Sequence, residues 1–135
     1  MFESKIAIIV RDDLAVWQKL NVTAFLTSGI VGTDPALMGE RYEDAAGNRY
    51  NALAIQPMIV LSSSGAGLQK IYRRAMAQGT RLSLYIEDMF KTGHDAANRA
   101  AVRQYRPDDM NVVGLALHED RKTVDKITRG AKLHG

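Results

Sequence analysis

Residues Pro57 to Ile86 read PMIVLSSSGAGLQKIYRRAMAQGTRLSLYI, and this stretch decides the class of fold. Pro57 to Leu61 is short and apolar, the pattern of a strand buried on both faces. The small polar run Ser62-Ser63-Ser64-Gly65-Ala66-Gly67 breaks it. Leu68, Ile71, Tyr72, Ala75 and Met76 then fall at i, i+3, i+4, i+7 and i+8, one apolar face of a helix whose other face carries Lys70, Arg73 and Arg74. Gly79 supplies a stop, and Leu82, Leu84 and Ile86 alternate with Arg81, Ser83 and Tyr85 as the next strand. Strand, helix and strand within about 30 residues predict a right-handed parallel crossover, and with it an α/β domain.

Working outward, Lys5 to Val10 predicts a first buried strand that stops at Arg11-Asp12-Asp13, where burying charge is costly. Leu14 to about Ser28 predicts a helix with Leu14, Trp17, Asn21, Ala24, Phe25 and Ser28 on one stripe. Asp12 or Asp13 would cap it, and the single Trp17 would anchor the core or a dimer interface. Residues 33 to 56 are polar around Ala45-Ala46-Gly47, which predicts a small exposed hairpin insertion turning at Gly47. The stretch from Glu87 to Tyr105 is helical in its second half and is ended by Arg106-Pro107-Asp108-Asp109. Asn111 to Leu117 is the fourth strand, and Val124, Ile127 and Ala131 mark a final short helix.

Composition narrows the function classes. A chain of 135 residues, 46% hydrophobic and 24% charged, reads as a single domain over 1–135. It has no cysteine, which removes thiol catalysis and thiolate zinc sites. The longest near-apolar run, Ile6 to Val10, is far short of the ~20 residues of a membrane helix, and the N-terminus lacks a signal-peptide layout. A cytosolic protein without membrane contact is the expectation. Residues 1–67 hold five Lys/Arg against seven Asp/Glu, whereas residues 68–135 hold thirteen against eight, so the positive excess lies in the second half. Lys70, Arg73, Arg74, Arg99 and Arg103 would form an RNA-binding face, or simply a solvated one.

The candidate chemistry gathers at strand ends. A small glycine-containing turn between strand and helix, Ser62 to Gly67, leaves backbone N–H groups free to bind phosphate or carboxylate, and serves equally as a plain capped loop. Asp12, Asp13, Glu87 and Asp88 follow the first and third strands, at the sheet edge where open α/β folds bind ligands; helix capping is the ordinary role of such residues. His94, His118 and His134 are scattered, with no metal-ligand spacing, so no metal or cofactor is expected. A Ser-His-Asp arrangement is composable from Ser62 to Ser64 with His94 or His118, without a GxSxG elbow.

Three segments in order carry a family resemblance: Ile9-Val10-Arg11-Asp12-Asp13-Leu14, Ile86-Glu87-Asp88-Met89-Phe90-Lys91-Thr92, and Val124-Asp125-Lys126-Ile127-Thr128 with Lys132-Leu133. They resemble the V-R-x-D-L, I-x-D-x-x-x-T and I-D-x-V-T-x-x-x-K-L segments of type II peptidyl-tRNA hydrolases. The resemblance implies a three-layer α/β/α homodimer built on a four-stranded mixed sheet of order 2-1-4-3, with strand 4 antiparallel. It also implies catalytic roles for Asp88 and Thr92. The family's first-helix Lys, Gln and His are not reproduced: Lys19 is one place out of register, Ala24 stands at the Gln and Thr27 at the His, and Phe90 replaces a glycine. The helix Trp17-Gln18-Lys19-Leu20-Asn21-Val22-Thr23-Ala24-Phe25-Leu26, followed by G-E-x-Y-x-D-x-x-G-x-x-Y from Gly39, resembles a bacterial branch of this fold known only as domain of unknown function 2000.

The leading expectation is a small polar or anionic ligand bound at the strand-end cleft by Arg11, Asn21, Ser62, Ser63, Ser64 and Gly65, beside Asp88 and Thr92. A competing expectation is hydrolysis of peptidyl- or aminoacyl-tRNA esters, with Asp88 orienting water, Thr92 beside it and Lys19 stabilising charge.

Overall fold

The computed structural model describes residues 2–135. Its centre is β1 (Ser4–Arg11), whose residues Ile6 to Val10 are all buried. The unbroken apolar run follows from this position: both faces of the strand are covered, so neither parity can be polar. Ile6, Ile8 and Val10 face one layer, where they meet Val22, Leu26 and Ile30 of α1 (Val16–Thr33). Ala7 and Ile9 face the other, against Leu68, Ile71 and Ala75 of α2 (Gly65–Ala77) and Val124 and Ile127 of α4 (Arg121–Ile127). The result is a three-layer α/β/α arrangement, with α3 (Asp95–Arg103) following β3.

The sheet has five strands, not the expected four, in the order β3-β4-β1-β2-β5. β2 (Met58–Ser63) runs parallel to β1, from Ile6 opposite Met58 to Arg11 opposite Ser63. β4 (Val112–Asp120) is antiparallel to β1 and to β3 (Leu82–Ile86). Read from the other edge, these four take the order 2-1-4-3. The fifth, β5 (Lys132–Leu133), pairs antiparallel with β2, Leu61 opposite Leu133 and Ser62 opposite Lys132. It comes from a stretch read as the end of a helix. That helix stops at Ile127, where Gly130 at φ 98° turns the chain back so that Ala131 leads into β5.

Helix α1 corrects three readings. It begins at Val16 and is capped by Ala15, whose N–H donates to Gln18 Oε1 at 2.9 Å, so neither Asp12 nor Asp13 is the cap. It runs on to Thr33 rather than ending near Ser28. Its buried stripe is Val22, Leu26 and Ile30, whereas Trp17 is 61% exposed and Phe25 56%. The reason is that α1 is apolar nearly all round, with Lys19 its single charge, so periodicity does not single out the inward face. On that face the helix lies very close to β4: a Cβ on Gly114 would stand 2.6 Å from Val22 Cγ1 and 3.0 Å from Leu26 Cδ1.

Within the insertion, isolated bridges join Met38 to Ala54 and Glu43 to Arg49, and Gly47 turns the chain at φ 87°. One carboxylate organises the tip. Asp44 accepts from the Ala46 and Asn48 amides at 2.9 Å, from Asn48 Nδ2 at 3.0 Å and from the Tyr50 hydroxyl at 2.7 Å. Hydrogen bonds from the Asn48 and Tyr50 side chains lead in lowering the Asp44 pKa to about 2, from an ordinary 3.8. A carboxyl depressed in the folded chain contributes order that is complete above pH ~4 and fades as pH falls toward 2. Amide exchange at Ala46 and Asn48 is therefore expected to accelerate across that window, and to be fast at neutral pH in Asp44→Ala.

Candidate functional site

β1, β2 and β3 end at the same edge, and β4 begins there, with Glu87 N–H donating to Asn111 O at 2.9 Å. Arg11 sits in the middle of this edge. Its Nε contacts Asp13 Oδ1 at 2.5 Å and its Nη2 contacts Glu87 Oε1 at 3.3 Å. Burial works against the Arg11 charge, but bonds to Asp13 and Glu87 raise its pKa above the ordinary value. This guanidinium is already neutralised by two carboxylates, and the strand-end edge holds distinct cavities.

The first, of about 420 Å³, lies on the α2 side at the end of β2. Ser62, Ser63 and Ser64 form its floor, Gly67, Lys70 and Arg74 its α2 wall, and Arg129, Gly130 and Lys132 its far wall, with Asp12 at the edge. Each position has a local cause. Ser64 caps α2 by accepting from Gly67 N–H at 3.1 Å, and Leu68 N–H bonds Ser64 O at 2.8 Å, which leaves the Gly65 and Ala66 amides without an intrahelical acceptor. Gly67, Lys70 and Arg74 share one side of the helix by their spacing. Arg74 Nη1 donates to Ile127 O at 3.2 Å and Arg129 O at 2.7 Å, fastening the 127–130 turn over the cavity. β5 then brings Lys132 alongside Ser62.

Two features of this cavity are chemical rather than architectural. Among the described residues, Lys70, Arg74, Arg129 and Lys132 form no ion pair within 4.0 Å. Ser63 is only 9% exposed; among the described residues its hydroxyl has no protein partner and no buried side-chain oxygen or nitrogen is left unbonded, so the Ser63 Oγ opens to solvent. A Cβ on Gly67 would stand 2.3 Å from Ser63 Oγ, so only glycine lets the α2 backbone sit this close to the hydroxyl.

Asp88 and Thr92 line a second cavity of about 530 Å³, with Glu87, Lys91, Gln104 and Asn111. Asp88 Oδ2 accepts from the Tyr105 hydroxyl at 2.6 Å, and this bond raises the Tyr105 pKa. Thr92 Oγ1 donates to Met89 O at 3.0 Å and lies against Asn98 Oδ1. Asn21 lies elsewhere, in a third cavity on the α1 side with Trp17, Phe90, His94 and again Thr92. The Trp17 and Phe90 rings meet there edge-on at 6.0 Å. Lys19 lines neither of these two cavities. Gly65 opens α2 beside the first cavity, where a Cβ would rest 3.5 Å from Arg11 Cδ. The structure thus brings Ser62, Ser63 and Ser64 together, pairs Asp88 with Thr92 in one cavity and Asn21 with Thr92 in another, and leaves Lys19 outside all three.

The basic residues are divided too. Lys70 and Arg74 face the first cavity, Arg73 pairs with Asp108 at 3.6 Å, and Arg99, paired with Asp95, lies with Arg103 beside Phe25 on the α1 side. Of the histidines, His94 caps α3 through Nδ1, and His118 Nε2 is 2.8 Å from Ser4 Oγ, not from Ser62 to Ser64. His118 Nδ1 is 3.8 Å from Asp34, beyond hydrogen-bond range. Among the described residues no group of three or more His, Asp or Glu is placed to hold a metal, and no helix is long and apolar enough to cross a membrane.

These features define an α/β protein with one mixed sheet and a cation-lined cavity at the parallel strand ends. The chain belongs to the family described as protein of unknown function (DUF2000), whose model it matches over residues 4–135. It is 58% identical to Atu0240 of Agrobacterium tumefaciens strain C58, a protein of unknown function, over 100% of both chains, with a TM-score of 0.98. No functionally curated protein matches it.

Proposed function

We propose that this protein binds a small anionic ligand in the cavity at the end of β2, and that its fold is kin to the type II peptidyl-tRNA hydrolases without their helix-borne chemistry. One observation carries the binding reading: Lys70, Arg74, Arg129 and Lys132 converge with no carboxylate within ion-pair distance, beside the unbonded hydroxyl of Ser63. Like charges held together raise the free energy of the site until a counter-ion enters, and the N-terminus of α2 adds its partial positive charge. The kinship is supported by the antiparallel β4 between β1 and β3. Hydrolysis of a tRNA ester is the second reading. Asp88 and Thr92 sharing a cavity favour it, but the Asp88 carboxylate is held by Tyr105 and Lys19 lies outside.

The test is a titration with inorganic phosphate at low salt, followed by amide NMR. The expected result is saturable one-to-one binding, with the largest shifts at Ser63, Ser64, Gly65 and Gly67. Shifts confined to Asp88, Thr92 and their neighbours, or no saturable binding, would overturn it.

A further inference from the structure

We propose that the natural occupant of this cavity is a small phosphomonoester that also carries an ammonium group, with Asp12 as the residue that reads the ammonium. The inference rests on the anion reading above and adds the ligand class. Three observations lead to it.

The first is the amount of positive charge. A phosphomonoester carries about −1.5 to −2 at neutral pH and three acceptor oxygens, whereas a carboxylate offers one charge and two oxygens. Three cations without a partner among the described residues, Lys70, Arg129 and Lys132, with Arg74 beside them, the solvent-facing Ser63 hydroxyl and a helix N-terminus suit the larger demand. The second is size. About 420 Å³ is far more than an inorganic phosphate occupies and lies within the roughly 300–1,000 Å³ typical of small-ligand sites. Room remains for a body attached to the phosphate.

The third is Asp12, the one carboxylate in the lining. Its N–H is tied to Ser63 O at 2.9 Å, which fixes its backbone beside the residue carrying the free hydroxyl. Among the described residues it forms no ion pair with any of the four cations. A carboxylate at the edge of an anion site repels a ligand that is purely anionic. It attracts one whose positive group arrives with its phosphate, so the same residue rejects one class and selects the other.

The probes are O-phosphoethanolamine, ethyl phosphate and inorganic phosphate, titrated calorimetrically into the wild-type protein and Asp12→Asn. Wild type is expected to bind phosphoethanolamine about tenfold tighter than ethyl phosphate, the gain of one charge-assisted contact. In D12N the two esters are expected to bind alike. Equal affinities in wild type, or a preference that survives D12N, would overturn the ammonium assignment while leaving the anion site in place. If none of the three probes binds, the anion reading fails and this inference fails with it.

Discussion

Gly114→Val is expected to leave little folded protein at 37 °C. Gly114 sits on the interior strand β4, opposite Val10 of β1 and Tyr85 of β3, directly beneath α1. A Cβ there already stands 2.6 Å from Val22 Cγ1, 3.0 Å from Leu26 Cδ1 and 3.3 Å from the Ile9 carbonyl, before either valine methyl is added. Val22 is fully buried and Leu26 is 1% exposed, so neither can swing away, and the Ile9 carbonyl is backbone. Over-packing a tight core by ordinary increments costs about 1–3 kcal/mol. Prising a helix from the sheet to admit three carbons costs more, on the order of 4 kcal/mol against a total stability of roughly 5–15. Urea denaturation measures this directly. Gly32→Ala, in the same α1 helix, is the control: a Cβ there meets nothing within 4 Å, and exchanging glycine for alanine inside a helix is expected to add roughly 0.5–1 kcal/mol. Equal melting of Gly114→Val and wild type would mean that α1 does not lie this close to β4.

The second large effect is electrostatic. The double reversal Lys70→Glu with Arg129→Glu is expected to weaken phosphate binding by about 100-fold or more. A unit charge 5 Å from a phosphate contributes roughly 3 kcal/mol at an effective dielectric constant of 20, and solvent exposure of both side chains reduces that to about 1–2 kcal/mol per reversal. Two reversals therefore reach about 3 kcal/mol, or two decades in affinity. The fold is expected to be unaffected, because neither side chain makes a hydrogen bond or ion pair among the described residues; Arg129 contributes only its backbone carbonyl, to Arg74. Unchanged phosphate affinity in a folded double variant would remove these residues from the site.

The contrast between α1 and α2 shows what the amino-acid pattern reveals. In α2 four of the five positions expected on the apolar face, Leu68, Ile71, Tyr72 and Ala75, are buried, while Met76, at the helix end, is 49% exposed. In α1 Val16, Trp17, Leu20 and Phe25 are as apolar as Val22, Leu26 and Ile30, and only contact with the sheet separates the two sets. The strands Ser4–Arg11, Met58–Ser63 and Leu82–Ile86 announce themselves by apolar runs or alternation. β5 does not, since Lys132 and Leu133 are both exposed and form a strand only because the edge of β2 is there to accept them.

The candidate site inherits this limit. Ser62 to Ser64 and Gly67 are visible as a local turn, because their role depends on neighbours in sequence. Lys70 and Arg74 are visible as helix-surface charges. Their convergence with Arg129 and Lys132 depends on the turn at Gly130 and on a two-residue pairing, neither of which leaves a periodic trace. Asp88 presents the opposite case. Its sequence context marks it as a candidate acid or base, while Tyr105, 17 residues further along, already engages its carboxylate.

The pairing of residues 132–133 with β2 also bears on how this protein behaves at high concentration. An uncovered strand edge offers a row of backbone donors and acceptors to any other chain, and β5 occupies part of that row, with His134 N–H adding a bond to Val60 O at 3.1 Å. The segment that seals the edge carries Lys132 and follows the Arg129 carbonyl clasped by Arg74, so an anion bound to these cations, as proposed, would also hold the seal shut. Solubility and occupancy would then rise and fall together: in phosphate-free buffer, fraying of this seal would expose the β2 edge and seed assembly between molecules.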